Sequence, residues 1–204
     1  MMPFFFKSIP ELTLYDPLAD MLGAASEGIM TYSYAECVKL AGHSCPTVAG
    51  TYLMLLKGLK LLYPNTIPKR GEIRVLMSGK LGEGVVGVMA NIASFVTGAT
   101  DISGFHGLGG KFDRRNLLIF EANIEGDLAL ERVDTGERVS LTYNPKIIPA
   151  DPKTGEWLEF ITRDKADGEL KKLFQNSWQD RVKSILIEYV EHPGLVIYTF
   201  EKKQ

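Results

Sequence analysis

Val48, Tyr52, Leu55, Leu56, Leu59 and Leu62 recur at spacings of three and four, the repeat that puts side chains on one side of an α-helix. Pro46 stands just ahead of them, and proline is tolerated at a helix's first position. The pattern therefore predicts a helix that opens at Pro46 and ends near Tyr63-Pro64, because the residue before a proline is driven out of the helical region. Asp16-Pro17 has the same cap-then-proline form and predicts a short helix over 17–25, weakened at its end by Gly23. A further helix is expected over 33–40. The composition changes over 72–78, where Glu-Ile-Arg-Val-Leu-Met-Ser reads as a strand closed by Gly79, and 85–95 reads as a buried helix.

Beyond a glycine-rich loop over 97–111, the segments 116–122, 127–133 and 138–143 read as three short strands. The tight turn Asp134-Thr135-Gly136 joins the last two, and an antiparallel meander is expected. Prolines crowd 144–155, marking a boundary or a surface excursion. A helical repeat over 169–190, broken near Asn176-Ser177, stops at His192-Pro193-Gly194 before a closing strand over 195–200. These elements predict an α+β fold: helices packed on a largely antiparallel sheet, with a C-terminal helical layer or extension. A length of 204 residues is enough for one domain spanning 1–204, with 145–204 as the candidate extension.

Composition narrows the function classes. A net charge of -2, with no basic run longer than the one around Lys111, Arg114 and Arg115, argues against nucleic acid as the main partner. The apolar run 85–96 is shorter than a bilayer span and is interrupted by Gly87 and Asn91, so no membrane segment is expected. The chain's start lacks the basic and small-residue signals of a secretory leader. Two cysteines, Cys37 and Cys45, do not form a disulfide framework, and a cytoplasmic location is expected.

Candidate chemistry centres on Gly42-His43-Ser44-Cys45-Pro46. If Pro46 is the first helical residue, Cys45 is the N-cap, where the helix dipole and free N–H groups favour negative charge on sulfur. His43, two residues earlier in an extended stretch, would face the same side, so one metal ion could touch both. The competing reading is an inert buried thiol beside a hydrogen-bonded histidine. His106 sits within the glycine-rich loop, where backbone can approach a ligand closely. Cys37 reads as a core thiol with a fourth-ligand role as the alternative, Glu36 as a solvated helix carboxylate or an acid-base group, and His192 as a helix-end residue. Gly79-Lys80-Leu81-Gly82-Glu83-Gly84 lies between strand and helix but lacks the Gly-Lys-Ser/Thr ending of a phosphate loop, so a tight turn is expected. Lys111, after Gly109-Gly110, is the candidate contact for an anionic substrate.

The run Ala41-Gly42-His43-Ser44-Cys45-Pro46-Thr47-Val48-Ala49-Gly50, followed by a long helix, resembles the opening signature of the FmdE family, named for a component of formylmethanofuran dehydrogenase. Val96-Thr97-Gly98-Ala99-Thr100 resembles that family's second block, and the likeness extends over 34–120. The resemblance implies an α+β homodimer that binds zinc, or another transition metal such as iron or nickel, through His43 and Cys45. It also implies a small anionic or one-carbon-carrier ligand, and either a metal-dependent enzyme or accessory subunit or a non-catalytic metal-binding or sensing protein. Ala99 stands where the family has a cysteine, and Val88 and Asn91 replace an upstream cysteine and aspartate. His106, in residues additional to the family pattern, is expected to take the missing ligand's place, giving the set His43, Cys45 and His106 with one coordination position open.

Overall fold

The computed structural model describes residues 1–202 and has an α+β fold, 42% helical and 17% strand. A hairpin of β1 (Leu12–Tyr15) and β2 (Ile29–Tyr32) forms one small sheet, with α1 (Pro17–Leu22) in its connection. Helices α2 (Tyr34–Ala41) and α3 (Pro46–Leu62) follow, then β3 (Ile73–Met77) and α4 (Val86–Thr97). The second half contributes β4 (Leu118–Ile119), β5 (Leu128–Arg132), β6 (Arg138–Tyr143), α5 (Thr154–Thr162), α6 (Gly168–Lys183) and β7 (Val196–Glu201). The five-stranded sheet runs β4-β3-β5-β6-β7 and is antiparallel except for the β3–β4 pair.

The core forms where α3 lies across β5 and β6. Ile73, Val75, Met77, Leu128, Leu130, Val139 and Leu141 form one fully buried side of the sheet under α3, in one core with Val48, Leu55, Leu59 and Leu62, while Tyr52 packs on Tyr34 and donates to the Pro10 and Tyr32 carbonyls. Gly58 lets helix and sheet approach: a Cβ there would come within 2.8 Å of Leu130 Cδ1. Helix α4 packs beside α3 and over β3, while α2 closes the end near α3's first turn.

The helices predicted at Pro17, Pro46 and 85–95 are present, as are the strands at 72–78, 127–133 and 138–143. The helix expected over 17–25 ends at Leu22, because Gly23 takes the left-handed conformation (φ 68°) that terminates helices. The expected three-strand meander is corrected. Chain passing through α4 returns parallel to β3, so β4 pairs with β3 and not with β5. Positive φ at Asn116 (58°) and Glu121 (55°) cuts β4 to two residues. The expected break at Asn176-Ser177 is also corrected: α6 runs through it from the Asp167 cap, and the irregularity comes at a π-turn over Ser184–Glu188. The β1–β2 hairpin and α5 are additions that the hydrophobic pattern does not announce. Among the described residues no helix is long and apolar enough to cross a membrane.

Two long-range ion pairs of Asp16 lock the N-terminal hairpin onto this frame. The Asp16 carboxylate accepts from the Leu18 and Ala19 N–H groups at 2.9 and 3.1 Å, capping α1. Its two oxygens also meet Arg70 at 2.9 Å and Arg114 at 2.7 Å. Arg70 continues to the Val96 and Phe95 carbonyls at the end of α4, each at 3.1 Å, where positive charge is favoured.

Candidate functional site

The segment from Gly42 to Cys45 is the link between α2 and α3, and its geometry is set by both helix ends. Helix α2 begins in a capping box: Ser33 Oγ accepts from the Glu36 N–H at 3.3 Å, and Glu36 accepts from the Ser33 N–H at 2.8 Å. That hydrogen bond from Ser33 holds the Glu36 carboxyl below its ordinary pKa. Glu36 is thereby occupied as a cap. Cys37, one residue on, is fully buried, and burial pushes its thiol up to about 12. The helix ends on Gly42 at φ 75°, turning the chain outward.

His43 is solvent-exposed, and its Nδ1 lies 2.9 Å from the Ala41 carbonyl oxygen. A carbonyl only accepts, so Nδ1 carries the proton and Nε2 keeps its lone pair in the neutral ring. Cys45 is the N-cap of α3, as expected, with Sγ accepting from the Val48 N–H at 3.5 Å. The residue is buried, with 9% of its surface exposed.

Between them, Ser44 is held on three sides. Its hydroxyl donates to Gln179 Oε1 at 3.1 Å and lies 3.0 Å from the Tyr34 hydroxyl, which is left as the donor. Its carbonyl accepts from Trp178 Nε1 at 2.8 Å. Tyr143 packs its ring against Gly50, one turn into α3, where any Cβ would collide with it. The Tyr143 hydroxyl is buried and has no hydrogen-bond partner among the described residues. Burial raises the pKa of both Tyr34 and Tyr143, and the neighbouring Cys45 adds to it. Tyr34, Tyr143, Trp178 and Gln179 have no signature in the sequence: an ordinary helix-start tyrosine, a strand-end tyrosine and a polar pair on a distant helix carry no motif.

His106 and Lys111 occupy a different place, the exposed loop between α4 and β4. Backbone bonds brace that loop: the N–H groups of Leu108 and Lys111 donate to each other's carbonyls at 2.9 and 3.0 Å, and Arg114 N–H donates to Phe105 O at 2.9 Å. His106 stands near Asp113, whose carboxyl is lowered to about 2, chiefly by its hydrogen bonds from Arg115 and further by His106. Ala99, at the position of the family's cysteine, is fully buried. Arg114 is buried in the Asp16 cluster. His192 accepts the Gly194 N–H at 3.1 Å, organising the turn before β7.

Imidazole nitrogen and cysteine sulfur fit zinc and its transition-metal neighbours in kind. They fall short in number. Among the described residues, no group of three or more His, Cys, Asp and Glu side chains is placed to hold an ion. His43 and Cys45, two residues apart in sequence, are not joined by a third such side chain among the described residues.

No protein-family model matches the chain, and no curated protein matches it. Among solved structures, the chain is similar to a tungsten formylmethanofuran dehydrogenase FmdE-like protein from Syntrophus aciditrophicus. The TM-score is 0.44 at 16% identity, covering 85% of this chain and 74% of that chain.

Proposed function

We propose that the protein binds a transition metal ion, zinc in the first instance, at the Gly42–Pro46 link, through His43 Nε2 and Cys45 Sγ. The observation that carries this reading is the 2.9 Å contact between His43 Nδ1 and the Ala41 carbonyl. A ligating histidine is commonly oriented this way, its far nitrogen tied to a carbonyl and its near one presented to the ion. The sequence resemblance of residues 41–50 to the FmdE signature implies the same two residues. Support also comes from the bracing of Ser44 by Tyr34, Trp178 and Gln179, which fixes the peptide joining the two donors.

The remaining ligands are proposed to come from His106 brought in by loop movement, from a second copy of the chain, or from a bound small molecule. With an open position such an ion supplies Lewis acidity to a one-carbon or other small anionic substrate, and Lys111 is the proposed anion contact. With a filled shell the same residues make a metal-sensing or accessory module.

The test is elemental analysis of protein purified without a histidine tag, beside His43→Ala, Cys45→Ser and His106→Ala. Near-stoichiometric metal that is lost in the first two variants is the expected result. Loss in His106→Ala as well assigns the third ligand. A native protein that neither retains nor takes up zinc, iron or nickel overturns the reading.

A further inference from the structure

Helix α3 is apolar on more than the side its sheet requires. Val48, Tyr52, Leu55, Leu59 and Leu62 are consumed by the core, and Leu53, itself buried, joins the half-buried Leu56 and Leu61 in a second apolar stripe. A helix covering one sheet needs a single stripe, with polar residues opposite. The second stripe faces a cavity of about 510 Å³, closed on its other side by the edge strand β7 and the turn before it. That volume lies within the roughly 300–1,000 Å³ usual for small-molecule sites.

The polar groups around this cavity are few and of unequal sign. Lys57 and Lys60 line it from α3, and among the described residues Glu191 is the one acid lining it. Lys57 spans the groove, donating to the Val196 carbonyl at 3.0 Å with its ammonium 5.3 Å from the Tyr198 ring centroid. One ammonium proton is used there and two remain. Lys60 makes no ion pair or hydrogen bond among the described residues. The groove therefore offers an apolar body site with net positive charge at its mouth.

We propose that this groove binds a small amphipathic anion, a medium-chain carboxylate in chemical class. The tail lies along Leu53, Leu56 and Leu61, and the carboxylate is taken by Lys60 with help from Lys57. A cation of the same shape meets two ammonium groups against one carboxylate, and a neutral molecule leaves Lys60 without a counter-charge. The site sits on the C-terminal half of α3, away from Cys45 at its start, so its occupancy is independent of any metal there.

Calorimetric titration of the full chain with decanoate, decanol and decyltrimethylammonium tests it. Decanoate is expected to bind with a Kd on the order of 0.1 mM, and decanol at least about tenfold more weakly. Lys60→Glu should weaken decanoate about tenfold or more, and Leu56→Trp, which fills the groove, should do the same while circular dichroism shows both variants folded. Lys60→Gln serves if the charge reversal unfolds the chain. No decanoate binding at millimolar concentration overturns the proposal, as does equal binding of all three probes or an affinity that either substitution leaves unchanged. A dimer that Leu56→Trp dissolves, in protein that binds no decanoate, assigns the groove to a second copy and also overturns it.

Discussion

Trp178 donates its indole N–H to the Ser44 carbonyl at 2.8 Å, across 134 residues of sequence. Helix α6 thus holds the peptide that separates His43 from Cys45, and the C-terminal segment is part of the candidate site's support. Replacing Trp178 by Phe keeps most of the packing and removes the donor, leaving Gln179 Nε2 at 3.4 Å as the remaining partner. We expect a loss of about 1 kcal/mol in urea unfolding and faster alkylation of Cys45. Unchanged alkylation would show that Trp178 supports stability alone.

The two thiols should react very differently. Cys37 is fully buried with its thiol pushed up to about 12, whereas Cys45 keeps a 9% exposed edge. Iodoacetamide at pH 8 should add one label to the folded chain and two after unfolding, read by mass spectrometry. Cys45→Ser should then take none while folded. A label on Cys37 in the folded protein would contradict this burial.

Asp16 should dominate the acid limb of stability. Burial raises its pKa, but hydrogen bonds from Arg70 and the Ala19 N–H, with the charges of Arg114 and Arg70, outweigh it and leave the carboxyl below its ordinary value. A carboxyl depressed in the folded state contributes fully above its unfolded pKa, about pH 4, and loses that contribution as pH falls through the folded value. Asp16→Asn should cost about 3 kcal/mol at neutral pH, because Arg114 is left buried without its counter-charge. The gap between native and variant should close on acidification below about pH 4. A gap that stays constant down to pH 2 would rule out Asp16 as the source.

Gly71 and Gly23 give a matched pair. Both have positive φ, 80° and 68°, but a Cβ on Gly71 would collide with the Arg114 guanidinium, while nothing among the described residues lies within 4 Å of one at Gly23. Gly23→Ala should cost about 1 kcal/mol, the penalty of a left-handed alanine. Gly71→Ala should cost at least about 3 kcal/mol, since it also displaces a buried guanidinium. Equal melting temperatures for the two variants would mean that Arg114 shifts freely.

The contrast between legible and illegible features follows contact range. Pro46 and the spacing of Val48, Tyr52, Leu55 and Leu59 specify α3 and the Cys45 cap locally, and both are present. The pairing of β4 is not legible because its partner is chosen by the path through α4, a tertiary matter that residues 116–122 do not encode. The β1–β2 hairpin is hidden because its strands are four residues each and are separated by a helix, with no two-residue turn to announce them. At the site, His43 and Cys45 are visible as a motif, whereas the anchoring of Ser44 by Trp178 and Gln179 depends on a helix more than a hundred residues away. The second leucine stripe of α3 is in the sequence, but only the position of β7 shows that it borders a cavity.

The Asp16 cluster also orders events in time. Its two ion pairs join residues separated by 54 and 98 positions, so they give nothing back until loops of that length have closed and the end of α4 is in place. Contacts of such range form slowly and late in the search for the native state. The hairpin that carries Asp16 should therefore dock as those loops close, in the same long-range assembly that brings α3 onto β5 and β6.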